Sequence, residues 1–90
     1  MAEDLIRIVL ADDHAVVRAG LKAILGTARD MRVVGEASSG QEAVALAERL
    51  RPDVIVMDLT MDGMDGLAAV REIAQKELPS RVLMLTMHGE

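Results

Sequence analysis

Val54-Ile55-Val56-Met57 is an uninterrupted apolar run, rich in β-branched residues, that ends on a carboxylate, Asp58. With no polar side chain to offer water on either side, it reads as a strand buried on both faces. A sheet covered by helices on both sides provides that environment. The chain then opens into Leu59-Thr60-Met61-Asp62-Gly63-Met64-Asp65-Gly66, a loop holding two glycines and two further aspartates. An ionised group at the exit of a buried strand costs free energy unless it has a partner or a task. Asp58 is therefore the candidate chemical centre of the chain.

Similar runs recur along the sequence. Ile6-Arg7-Ile8-Val9-Leu10-Ala11 is predicted to be a first strand, ending at Asp12-Asp13. From His14 the apolar positions take helical spacing (Val17, Leu21, Ile24, Leu25), and Gly26 is placed to end that helix. Val33-Val34-Gly35-Glu36-Ala37 is a second strand, assigned nearer an edge because of its Gly and Glu. Ser39 and Glu42 form a capping box ahead of a helix with Val44, Ala47 and Leu50 on its apolar stripe, and Arg51-Pro52 stops it. Beyond Gly66, Leu67, Val70, Ile73 and Ala74 predict a third helix that ends before Pro79. Arg81-Val82-Leu83-Met84-Leu85-Thr86 is a fourth strand, followed by Met87-His88-Gly89-Glu90.

Strict alternation of strand and helix, with strands apolar on both faces, predicts an α/β fold: a parallel sheet flanked by helices. Right-handed crossovers then bring every strand's C-terminal end to one edge of the sheet. Asp12, Asp13, Asp58 and Thr86 all stand at such ends and can converge on one crevice. If strands one and three are neighbours where the strand order reverses, that crevice is the expected ligand site.

Composition narrows the partners. The 90 residues make one domain (1–90), and its core must be aliphatic because the sequence holds no aromatic residue and seven methionines. A net charge of −5 without a run of like charges argues against direct nucleic-acid contact. The absence of Cys excludes disulfides and thiolate zinc sites. No apolar run approaches the ~18 residues of a membrane span, and Glu3-Asp4 ahead of the first strand do not fit a signal peptide. The expectation is a soluble cytoplasmic protein without membrane contact. The Met cluster (Met57, Met61, Met64, Met84, Met87) reads as core filler, Ala68 and Ala69 as ordinary helix formers, and Asp62 and Asp65 as turn and cap residues. His14 and His88 read as exposed element ends, with a ligand or relay role as the lesser alternative.

Three carboxylates in one crevice repel, each pair by on the order of 4 kcal/mol at ~4 Å and an effective dielectric of ~20. Either a proton or a cation must be taken up, and a set of oxygen ligands suits a hard divalent ion such as Mg²⁺. A carboxylate beside Mg²⁺ can attack a phosphoryl group to form an acyl phosphate. The Thr86 hydroxyl is available to donate to a phosphoryl oxygen. No Lys stands at a strand end to complete the charge balance.

Leu10-Ala11-Asp12-Asp13-His14, Met57-Asp58-Leu59-Thr60-Met61 with Met64-Asp65-Gly66, and Leu85-Thr86, in that order, resemble the receiver domain of two-component response regulators. The Ala-Asp-Asp-His and Leu-Thr-Met-His segments look most like the NarL-type transcriptional regulators. The resemblance covers essentially the whole sequence. It implies a flavodoxin-like (CheY-like) three-layer sandwich with strand order 2-1-3-4, here without the family's fifth strand and last two helices. It implies that Asp58 is the phosphoacceptor, that Asp13 and Asp58 bind Mg²⁺ directly, that Asp12 acts mainly through water, and that the backbone carbonyl of Thr60 completes the ligand set. Thr86 is then the switch hydroxyl and a sensor histidine kinase the phosphoryl donor, with transcription regulated through a DNA-binding domain outside this sequence. Asp62 stands where the family usually has Pro, and the family's fifth-strand Lys and switch aromatic are absent. The fourth strand is then an exposed apolar edge, and a homodimer or swapped oligomer is expected.

Three other functions remain open on the residues. One is a non-phosphorylatable dimerisation or interaction fragment of such a regulator. Another is calcium binding by Asp58-Leu59-Thr60-Met61-Asp62-Gly63, although the twelfth loop position falls on Ala69 where a bidentate Glu is needed. The third is an aspartyl phosphatase, although Thr60 occupies the place of its usual second Asp.

Overall fold

The four apolar runs form one sheet, all parallel, in the order β2-β1-β3-β4. The elements are β1 (Ile6–Ala11), α1 (Ala15–Leu25), β2 (Met31–Ala37), α2 (Gly40–Leu50), β3 (Val54–Asp58), α3 (Gly66–Gln75) and β4 (Arg81–Leu85). This is a computed structural model, which describes residues 5–59, 61 and 66–85. The strand order agrees with the sequence expectation, and β2 lies at an edge, as its Gly and Glu predicted.

The alternation of side chains across the strands separates two apolar layers. On one face Val9, Ala11, Ile55 and Met57 meet Ala43, Val44 and Ala47 of α2, Ala69 and Ile73 of α3, and Met61. On the other Ile8, Leu10 and Val56 meet Leu21 and Leu25 of α1. Ala69, expected to be an ordinary helix former, is fully buried, as are Ala43 and Ala47. Their small side chains let both helices lie close against the sheet. Gly35 serves the same end: a Cβ there would meet Leu50 Cδ1 at 3.1 Å and Leu46 Cδ1 at 3.4 Å. The pairing of β1 with β2 skips Val34 (Ile8 faces Val33, and Val9 faces Gly35), a bulge that breaks the regularity of this edge.

The helix on the second face is only lightly held. None of the α1 side chains is buried, and Ile24, counted in the apolar stripe, is 67% exposed. Adjacent helical residues point about 100° apart, so Leu25 takes the sheet-facing direction and Ile24 turns away. Leu67 in the first turn of α3 is likewise exposed.

Helix ends follow the chain's local chemistry. Ser39 Oγ accepts from the Glu42 N–H at 3.2 Å. The Glu42 carboxylate reaches one residue beyond the expected box and accepts from Ser38 N–H at 2.7 Å. That bond first, then one from the Ser38 hydroxyl, holds the Glu42 carboxyl below the usual glutamate range. Helix α1 ends at Leu25, but Gly26 keeps a right-handed φ of −66°, and the Thr27 hydroxyl donates to the Ile24 carbonyl at 2.7 Å. Ahead of Pro52, Arg51 turns left-handed with φ 47° and closes α2. The carbonyls of Leu50 and Arg51 accept from the Arg7 guanidinium at 2.8 and 3.1 Å.

Among the described residues β4 pairs only with β3, and Leu83 and Met84 are 57% and 40% exposed. No helix is long and apolar enough to cross a membrane among those residues.

Candidate functional site

Parallel pairing of β1 with β3, in register from Ile8–Val54 to Ala11–Met57, brings both strands to the same edge of the sheet at the same level. Asp58 is the last residue of β3, and Asp12 follows the last residue of β1. Asp12, Asp13, His14 and Asp58 each present a ligand atom there, all within 4.8 Å of one another. This convergence is what the strand-end reasoning required. Asp58 and Asp12 are 1% and 2% exposed, unusual for carboxylates.

The β1–α1 loop is built to aim its acids. Asp12 N–H donates to the Ala37 carbonyl at 3.0 Å, continuing the strand pairing by one residue. Asp12 Oδ1 accepts from His14 N–H at 2.8 Å, an Asx turn that starts α1 with His14 as its extended cap residue. One helical turn on, Arg18 fastens the loop from the α1 side: its Nη1 donates to the Asp12 carbonyl and its Nε to Glu36 Oε1 at 3.2 Å. Lys22 Nζ donates to the other oxygen of Glu36 at 3.1 Å.

The Lys22 hydrogen bond, and then Arg18, hold the Glu36 carboxyl below the usual glutamate range. A folded-state pKa below the unfolded one stabilises above the ordinary glutamate range, and the gain is lost as pH falls through the folded value. Thermal melts from pH 6 down to pH 3 should therefore show a smaller acid-induced loss in Glu36→Gln than in the parent chain. Equal losses would mean that this exposed cluster contributes nothing measurable.

His14 is the residue that sequence reasoning ranked too low. Its side chain is 59% exposed, yet Nδ1 stands 2.9 Å from Asp12 Oδ1, 3.0 Å from Asp13 Oδ1 and 3.9 Å from Asp58 Oδ2. The hydrogen bond to Asp12, followed by the charge of Asp13, raises the imidazole pKa. The sequence places this residue directly after Asp12-Asp13 at a strand exit, but the direction of its ring comes from the Asx turn at Asp12.

Gly66, the first residue of α3, lies against the backbone of Asp58 and Leu59. The first turn of α3 thus packs on the chemical centre itself. Thr60 and Thr86, the remaining predicted site residues, lie outside the described residues, as do Asp62, Asp65 and His88.

The donor set fits a hard divalent cation: carboxylate oxygens converge, and Asp12 Oδ2 is buried without a hydrogen-bond partner among the described residues. Without such a cation the clustered negative charge destabilises the fold. Asp58→Asn should accordingly raise the melting temperature in chelator by about 5 °C, the shift that roughly 1 kcal/mol produces in a domain of this size. Added Mg²⁺ should narrow that difference by stabilising the parent chain, and a melt with and without the ion checks both.

Comparison with known proteins agrees with this geometry. The profile of the response regulator receiver domain family matches residues 8–90. The transcriptional regulatory protein LiaR of Bacillus subtilis is 49% identical over 82 residues, covering 91% of this chain and 39% of LiaR. The response regulator protein VraR of Staphylococcus aureus is 51% identical over 82 residues, covering 90% of this chain and 39% of VraR. The signal receiver domain of NarL from Mycobacterium tuberculosis superposes with a TM-score of 0.92 at 38% identity, over 98% of this chain and 71% of that one. The chain thus spans well under half the length of the curated relatives it matches. With the strand order, the edge at which the acids meet and the family profile in agreement, the chain belongs to the response regulator receiver domain family.

Proposed function

We propose that this chain is the phosphoacceptor module of a two-component response regulator, with Asp58 as the residue that is phosphorylated. The observation that carries the reading is the buried carboxylate of Asp58 at a strand end, gathered with Asp12 and Asp13 within 4.8 Å. A phosphohistidine on a sensor kinase is the donor. An Asp58 carboxylate oxygen attacks phosphorus, the N–P bond breaks with its electron pair returning to the imidazole, and an acyl phosphate remains.

Asp13 and Asp58 would hold Mg²⁺ directly, with the Thr60 carbonyl, and Asp12 through water. When bound, the ion neutralises charge on the incoming phosphoryl oxygens. The residues of the chain do the rest. The sheet fixes Asp58, the Asx turn and Arg18 fix the Asp12-Asp13 loop, and the Thr86 hydroxyl is the donor that follows the phosphoryl group. The output is transcriptional regulation in the cytoplasm through parts of the protein beyond this sequence, as the name of LiaR suggests for that relative. Homodimerisation, or exchange of elements between copies, belongs to the same reading, with no direct contact of this segment with nucleic acid or membrane.

Incubation with Mg²⁺ and phosphoramidate, whose P–N bond stands in for phosphohistidine, should add the mass of one phosphoryl group. The adduct should be absent from Asp58→Asn. If the parent chain stays unmodified, the alternative holds: an interaction segment that is not phosphorylated. One observation favours that alternative. Both lysines of the sequence are engaged away from the acids, Lys22 with Glu36 at 3.1 Å and Lys76 with Glu48 at 2.7 Å, so neither supplies a cation to the site.

A further inference from the structure

We infer that His14 is a ligand at the acidic site, giving it a mixed nitrogen–oxygen donor set that selects first-row transition ions over Mg²⁺. The inference rests on the metal-site part of the function proposed above and adds the identity of a further donor. Its basis is the seat of the ring. Nδ1 lies 2.9 Å from Asp12 Oδ1 and 3.0 Å from Asp13 Oδ1. Ligands on adjacent corners of an octahedral ion with bonds of ~2.1 Å stand roughly 3.0 Å apart, so Nδ1 already keeps that spacing from Asp13 Oδ1, while Asp12 beside it orients the ring. Asp58 Oδ2, at 3.9 Å from Nδ1, falls between the adjacent and the opposite spacings.

A second observation points to a ligand independently. The Asp12 side chain is 3% exposed and its Oδ2 has no hydrogen-bond partner among the described residues, so one buried oxygen in the cluster awaits a donor or a cation. The direction of the imidazole also matters. The Nδ1 position that faces the two carboxylates as an N–H donor is the one whose lone pair meets a cation held between them. Among the described residues nothing else competes for the ring: it makes no helix-capping bond, and its other side is open to water.

Ion preference follows from donor softness. Oxygen-only sites suit Mg²⁺, whereas an imidazole nitrogen adds affinity for Mn²⁺, Co²⁺ and Ni²⁺ in rising order and little for Mg²⁺. A site with this set therefore accepts Mg²⁺ on its carboxylates and holds Co²⁺ more tightly through His14.

Calorimetric titration with Mg²⁺ and with Co²⁺, at one fixed pH of about 8, above the ordinary imidazole range, tests this. The variants are His14→Ala, which removes no capping bond, and Asp13→Asn. The parent chain should bind Co²⁺ at least about tenfold more tightly than Mg²⁺, and His14→Ala should lose about tenfold for Co²⁺ while its Mg²⁺ affinity stays within about twofold. The Co²⁺ form should show hyperfine-shifted imidazole C–H proton signals that His14→Ala lacks. If His14→Ala changes both ions equally or neither, or the shifted signals persist, His14 is not a ligand. Asp13→Asn separates that failure from a deeper one: retention of both affinities in this variant would overturn the metal site itself, whereas loss of both leaves the acidic site standing whatever His14 does.

Discussion

Gly66→Ala is expected to slow phosphorylation of Asp58 by about a hundredfold and to lower stability by about 3 kcal/mol or more. A Cβ at this position would lie 2.5 Å from the Asp58 carbonyl oxygen, 2.8 Å from Leu59 Cα and 3.2 Å from the Asp58 carbonyl carbon. All three are backbone atoms, so no side chain can swing away to make room. Either α3 withdraws from the sheet, opening the packing of Ala69 and Ile73, or the end of β3 moves and takes the phosphoacceptor with it. The first outcome shows mainly in the urea midpoint, and the second in the initial rate of phosphoramidate labelling. Gly20 supplies the contrast. It lies in α1 with nothing within 4 Å of a built Cβ, so Gly20→Ala should stabilise by about 0.5–1 kcal/mol through helix propensity and leave the labelling rate unchanged.

The elements and their order were legible because each run declares its period. Four uninterrupted, largely β-branched apolar residues before Asp58 fit a doubly covered strand, and alternation with helical stripes then points to a parallel sheet. Convergence of Asp12, Asp13 and Asp58 followed from handedness and strand ends without any side-chain knowledge. What the pattern could not reveal was everything that depends on which way a side chain leaves its element. His14 was read as an exposed end, and it is exposed, but the Asx turn at Asp12 rotates its Nδ1 back onto the acids. Nothing in the periodicity marks Arg18, yet one turn after His14 its guanidinium spans the Asp12 carbonyl and Glu36 on the neighbouring strand. Ala69 was indistinguishable by propensity from an exposed alanine, because helix formers give no sign of which face the sheet requires. Gly35 looked like a weak point of β2 and is instead the place where Leu46 and Leu50 of α2 come in.

The two faces of the sheet should differ sharply in what they contribute, and a pair of isoleucines measures it. Ile55, at 0% exposure in the middle of β3, packs in the layer formed with α2 and α3. Its replacement by Ala removes three carbons from a site walled by the sheet on one side and two helices on the other, which cannot collapse to fill the void. The expected loss is about 3–4 kcal/mol, the middle of the range for buried aliphatic truncations. A domain of this length has in all only about 5–13 kcal/mol to lose. Ile24 has the same side chain on α1, but it is 67% exposed and points away from the sheet. Ile24→Ala should change stability by less than about 0.5 kcal/mol, since the better helix propensity of Ala offsets the small amount of apolar burial that Ile24 provides. Urea denaturation of the two variants under one condition decides the matter. Equal losses would mean that α1 is buried as deeply as the opposite layer, and that the exposure of its apolar residues is not the state of the protein in solution.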